Sequence, residues 1–302
     1  MSFGYQVLGF GSGGLAGEYI VATGGNQPTA GGCIVCTNYK IHKFTGPGTF
    51  CVSAGSGALA KADYLVVAGG AGGGNSDGAG GGAGGYRESP GTASGCYTVS
   101  PLGVAPAVAL DITVQGYPIT VGAAGASGGQ DGNNSVFDSI TSTAGGGGNA
   151  TGTGGSGAGG YTSPICGFAG NTPPTTPPQG NPGGQGSPGS PTYSRGGGGG
   201  AGGAGGNSPS TAGGIGGVGV PTSISGSAVS YAGGGGGGRD SSRGGSPAAG
   251  SPCGTGGASS SGSTGGAGTT NTGGGGGGGQ NSPPQAGGIG GSGIVYIRYK
   301  FQ

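Results

Sequence analysis

Apolar residues in this chain fall in short alternating stretches. The clearest is at the C-terminus, where Ile294, Tyr296, Arg298 and Lys300 alternate with Val295, Ile297, Tyr299 and Phe301. A side-chain period of two puts the second set on one fully apolar face, so the segment reads as a strand. Further β-branched and aromatic runs bounded by Gly, Pro or Ser occupy 19–22, 39–44, 49–52, 64–68, 112–114, 119–121 and 136–141. Asp63-Tyr-Leu-Val-Val-Ala68 is apolar on both faces and reads as a central strand. No window carries an i, i+3, i+4, i+7 pattern over a helical length without a Gly or Pro in it. With turn signals such as Gly46-Pro47-Gly48 between them, these strands predict an all-β chain with an antiparallel, sandwich-like part and no α-helix.

After residue 144 the pattern changes to glycine runs separated by Ser, Thr, Asn and Pro loops. The runs include 145–148, 196–206, 213–219, 233–238, 273–279 and 287–293. Several carry triplets, as in Gly213-Gly-Ile215-Gly-Gly-Val218. A threefold extended helix has three residues per turn and no internal hydrogen bonds, so one residue in three points to one side. Ile215, Val218 and Ile289 would then face a sheet or the bundle edge. Each backbone N–H and C=O needs an external partner, and glycine lets neighbouring helices come close enough to supply it. The second half is therefore read as a polyglycine-II helix bundle, against a flexible linker or a glycine-rich β-solenoid. The expected organisation is a β-strand-rich domain at 19–144, the glycine-rich domain at 145–293, and 294–302 returning to close the β domain.

Composition narrows the classes. Glycine supplies 94 of 302 residues. Each Gly inside a regular element costs about 0.5–1 kcal/mol relative to Ala, which excludes a helical bundle or a doubly wound α/β enzyme. Collagen would need a strict Gly-X-Y period and more than the 20 prolines present. Nine basic and eight acidic residues give a net charge of +1, which offers neither the repulsion of a charged disordered chain nor a footprint for nucleic acid. No apolar stretch is long enough for a transmembrane helix, and the first residues do not read as a signal peptide. The expectation is no nucleic-acid partner and no membrane insertion.

Candidate chemistry is sparse. No Gly-x-x-x-x-Gly-Lys-Ser/Thr is present, and Gly-x-Gly-x-x-Gly carries no information at this glycine density. Cys33-x-x-Cys36 could be half a zinc site, a disulfide, or two ordinary cysteines. His42, the only histidine, sits beside Lys40 and Lys43 in an alternating strand, which favours a solvated or cross-strand role over general-base chemistry. The eight carboxylates form no close sequence pair of the kind glycoside hydrolysis uses. No catalytic residue, metal or cofactor is expected. The loops at 162–195, 207–212, 239–253, 258–264 and 280–286 hold the variation in the second half, and Tyr161, Phe168, Tyr193, Arg195, Arg239, Asp240 and Arg243 carry the aromatic and charged chemistry that interfaces use.

Tyr39-Lys-Ile-His-Lys-Phe-Thr45, Gly48-Thr-Phe50, Tyr64-Leu-Val-Val-Ala-Gly-Gly70, Gly84-Gly-Tyr-Arg87, Ile119-Thr-Val-Gly122, the 223–233 segment and Gly291-Ser-Gly-Ile-Val-Tyr-Ile-Arg-Tyr299 follow one another along the chain. In these residues the chain resembles the glycine-rich virion and tail-fibre proteins of tailed bacteriophages, especially those of marine and cyanobacterial hosts. Its second half resembles polyglycine-II tail-fibre adhesins, whose inter-helix loops contact a host receptor. The resemblance implies a homotrimeric virion protein, made in the host cytoplasm, with other virion proteins and a host cell-surface receptor as partners. Phe3, Tyr5, Leu8 and Phe10 resemble the opening of such proteins, which implies an attachment segment at 1–18; an edge strand is the alternative. Competing classes are a purely structural head fibre or decoration protein, an extracellular filament or adhesin, and an ice-binding surface.

Overall fold

The computed structural model describes residues 17–26, 31–76, 78–95, 97–149, 152–161, 166–187, 193–209, 211–240, 248–253, 255–259, 263–281 and 283–302. The strands are β1 (Glu18–Thr23), β2 (Cys33–Val35), β3 (Tyr39–Phe44), β4 (Gly48–Ser56), β5 (Lys61–Val67), β6 (Tyr86–Glu88), β7 (Leu110–Asp111), β8 (Gly116–Thr120), β9 (Ser135–Phe137), β10 (Ile140–Ser142), β11 (Val220–Thr222), β12 (Val229–Tyr231) and β13 (Ile294–Lys300). The described chain is all-β, with one 3-10 turn at Gly57–Leu59 and no α-helix.

Two open antiparallel sheets face each other. The first has the order β1-β4-β8-β9-β10 and the second β2-β3-β13-β5-β6, with β7 also on β5. Between them lie Ile20, Phe50, Val52, Tyr117, Ile119 and Phe137 from the first sheet and Phe44, Tyr64, Val66, Val295, Ile297 and Tyr299 from the second. The period-two faces read from the sequence supply these residues, and β13 sits at the centre of its sheet, between β3 and β5.

Three details differ from the sequence reading. Residues 112–114 are not a strand: 110–111 pair with β5, and Ile112 turns into the core while its N–H donates to the Ala60 carbonyl at 2.8 Å. The 136–141 run is a hairpin, because Asp138 at φ +51° breaks it into β9 and β10. The glycine-rich half contains a further hairpin, β11–β12, whose three-residue strands are too short to show a period.

The glycine runs form a packed array with a three-residue hydrogen-bond period. In the run 68–74, the N–H groups of Ala68, Ala71 and Gly74 donate to Gly85, Gly82 and Ala79. Those of Gly69 and Gly72 donate to Asn133 and Gln130, and those of Gly70 and Gly73 to Gly291 and Gly288. Its carbonyls accept from Gly145 and Gly148, from Gly125 and Gly128, and from Gly276 and Gly279. One threefold helix thus bonds to six others, antiparallel through its donors and parallel through its acceptors, as polyglycine II requires. The runs 79–85, 194–200, 232–239 and 273–280 are surrounded in the same way. The array is not confined to 145–293, because 68–74, 79–85, 122–127 and 130–133 from the β-rich half are built into it.

Sequence type decides position in the array. The enclosed runs are nearly pure Gly and Ala. The outer runs are Gly-Gly-X, and X points outward. Ile215, Val218 and Ile289 are 51%, 41% and 52% exposed, so they lie on the bundle edge and not against a sheet. Their N–H groups find no backbone acceptor among the described residues.

A second core covers the outer face of β13. Ile294 and Tyr296 pack there with Ile41, Leu65, Tyr86, Val220, Ile224 and Tyr231. Buried charge shares this layer. Arg298 is fully buried, with its guanidinium over the rings of Tyr97 (4.8 Å) and Tyr39 (5.4 Å) and Nη1 donating to the Ile224 carbonyl at 3.3 Å. Across the ladder stands Asp63. Glu88 accepts from Tyr86 Oη (2.6 Å), Thr222 Oγ1 (2.5 Å) and the Ser100 N–H (3.1 Å).

Burial pushes the Glu88 carboxyl above the usual glutamate range despite these donors. A carboxyl whose folded pKa is raised favours the native state most below its unfolded pKa, and that contribution is lost as pH rises through the folded pKa. Wild type is therefore expected to lose stability relative to Glu88→Gln between acid and neutral pH. Urea denaturation across that range measures it, and parallel pH profiles for the two proteins would contradict it.

Candidate functional site at the bundle end

The direction of each run places its loops. Runs leaving the sheets, such as 68–74, 232–239 and 273–280, end at the far side of the array, and 79–85, 194–200 and 286–293 return from it. The described ends of these runs, residues 75–76, 127–130, 149, 161, 166, 187, 193, 207–209, 211–212, 240, 263–264, 281 and 283–285, therefore gather at one end, opposite the sheets. Each loop named in the sequence reading contributes to this end.

Five of the predicted residues come together here. The Arg195 guanidinium lies over the Tyr161 ring at 5.6 Å, and Tyr161 Oη donates to the Gly148 carbonyl. Burial raises the Tyr161 phenol above its usual pKa. Ser194 and Arg239 form an antiparallel bridge, the Asp240 N–H donates to the Tyr193 carbonyl at 2.9 Å, and the Asn281 N–H to that of Arg239 at 3.3 Å. Arg195 and Asp240 are only 8% and 6% exposed, so they tie neighbouring runs together beneath the loops. The Nε of Arg239 is enclosed without a hydrogen-bond acceptor among the described residues.

Phe168 is not part of this group. Its N–H donates to the Ala158 carbonyl at 2.9 Å and its carbonyl accepts from Gly183, so it sits level with Ala158, one three-residue turn below Tyr161. Arg243, and Phe3, Tyr5, Leu8 and Phe10 of the attachment segment, lie outside the described residues.

Sequence reasoning missed the residues that the first half brings to this end. Asn75 Oδ1 accepts from the Gly287 N–H at 2.9 Å, Ser76 N–H donates to the Gln285 carbonyl at 3.0 Å, and Asp131 Oδ1 accepts from Gly147 N–H at 2.6 Å. The signal was available: Ala68-Gly-Gly-Ala71-Gly-Gly and its mirror run at 79–85 flank an Asn-Ser turn in the same Gly/Ala pattern as the later runs.

His42 is fully buried and not solvated; its Nδ1–H donates to the Gly24 carbonyl (2.7 Å), Tyr299 Oη donates to Nε2 (2.9 Å), and burial lowers its pKa. Cys33, Cys36, Cys51, Cys166 and Cys253 are free thiols. Among the described residues no group of three or more His, Cys, Asp or Glu is placed to hold a metal, and no helix is long and apolar enough to cross a membrane.

A two-sheet β scaffold carrying a threefold-helix array with a loop-bearing end defines an all-β, glycine-rich class of protein. The family model for the glycine-rich domain matches residues 44–300, and the chain belongs to that family. No functionally curated protein matches the chain.

Proposed function

We propose that the chain is a non-enzymatic phage virion protein, a homotrimeric fibre or fibre-tip subunit that joins other virion proteins and presents its bundle-end loops to a host-surface receptor. The observation that carries this is the gathering of the loops at one end of a rigid array. Much of the loop sequence there can vary without disturbing the lattice, because the inter-helix bonds within the runs are mainly backbone to backbone. The sequence resemblance to phage tail-fibre proteins supplies the setting.

Removing 241–247 from the chain in assembled particles is the test. Host adsorption is expected to fall at least about tenfold, the loss of one small interface segment worth roughly 1.4 kcal/mol, with particle yield unchanged. Normal adsorption by particles carrying the shortened loop would defeat the receptor role. A purely structural reading, as a head fibre, decoration protein or extracellular filament subunit, is favoured by the burial of Arg195 and Asp240, which serve the scaffold and not the exposed surface.

A further inference from the structure

We propose that the cleft between the outer face of the second sheet and the β11–β12 hairpin binds one acidic sugar ring, a hexuronic acid. The cleft has a volume of about 290 Å³ and is lined by Cys33, Ile41, Lys43, Ser225, Ser227, Val229 and Tyr296. Drug-sized ligands fill roughly 300–1,000 Å³, so this space suits a single ring.

The sheet supplies the floor through two cross-strand pairs, Lys43 opposite Tyr296 and Cys33 opposite Ile41. Tyr296 is 7% exposed and fixed edge-on against Tyr231, with ring centroids 6.4 Å apart. A ring so held is a rigid wall for the C–H face of a sugar. Val229 and Ile41 extend that apolar surface. Ser225 Oγ donates to the Ser227 carbonyl at 2.9 Å, which fixes the hairpin tip and places hydroxyl chemistry along the opposite rim.

Lys43 decides the ligand's charge. Among the described residues the only ion pair is Lys61–Asp111, so no carboxylate lies within ion-pair distance of the Lys43 ammonium. A cation beside apolar walls attracts an anion more strongly than one surrounded by water. A neutral sugar would leave that charge unused, and a fatty acid would leave the serines unused. A hydroxylated ring bearing a carboxylate uses all of them. The site is separate from the bundle end, so it does not depend on the receptor role of the loops.

The test is titration of the full chain with glucuronate and with glucose, followed by saturation-transfer NMR and calorimetry. Glucuronate is expected to bind at least roughly tenfold more tightly than glucose, the margin of one charge-assisted hydrogen bond. Lys43→Met should lose that margin while keeping weak binding of both sugars. Val229→Trp, which fills the cleft, should abolish both, with circular dichroism and melting temperature checking the fold. Equal binding of the two sugars, undiminished glucuronate binding by Lys43→Met, or no glucuronate binding by the wild type would each overturn the proposal.

Discussion

Replacing Gly235 by valine is expected to destabilise the protein by at least about 3 kcal/mol, at or beyond the upper end of ordinary overpacking. Gly235 lies inside the array. Its N–H donates to the Gly81 carbonyl at 3.0 Å and its carbonyl accepts from Gly198 N–H at 2.8 Å. A Cβ there would fall on the carbonyl oxygen and carbon of Gly276. The obstacle is backbone, which no rotamer change can move, so the neighbouring helix must shift and loosen its own bonds. By contrast, Ile215→Val on the exposed edge should change stability by no more than about 0.5 kcal/mol. Urea denaturation of both variants measures the difference, and similar midpoints would show that the array does not govern stability.

The second large effect is expected at Asp63. Its buried carboxylate accepts from Ser89 Oγ (2.7 Å), the Ala93 N–H (3.1 Å), the Ser94 N–H (2.7 Å) and Ser94 Oγ (2.6 Å), and it stands opposite Arg298 in the ladder. Asp63→Ala strands those buried donors, and at roughly 1–3 kcal/mol for each unsatisfied group the expected loss is at least about 3 kcal/mol. Because Asp63 and Arg298 are opposite in the ladder, the double variant with Arg298→Met is expected to lose less than the sum of the two single losses. A double variant whose loss equals the sum of the single losses would separate Asp63 from Arg298 energetically.

The legible part of this fold is the part built on periodicity. Val295, Ile297 and Tyr299 announce a core face by alternation alone, and Gly213-Gly-Ile215-Gly-Gly-Val218 announces a threefold helix by its triplets. The burial of the opposite face of β13 was not legible, because Arg298 in an alternating pattern reads as solvent-facing. Its cover comes from the 89–103 loop and the β11–β12 hairpin, far away in sequence. The array's reach into 68–85 was hidden for a related reason: a run that continues directly from a good strand looks like a strand followed by a loop. At the candidate site, residue types pointed to Tyr161, Tyr193, Arg195, Arg239 and Asp240. Which of these are exposed depends on helix directions that only the fold supplies.

The three-residue bond period has a consequence for how such a protein can change length. Inserting one triplet into a single helix would shift its far half by a full repeat and leave its bonding directions in phase with every neighbour. Each added triplet extends a threefold helix by about 9 Å. Insertions of one or two residues would rotate every later donor toward the wrong neighbour. Length in this scaffold is therefore quantised, and growth in whole triplets carries the terminal loops farther from the sheets without redesigning what lies between.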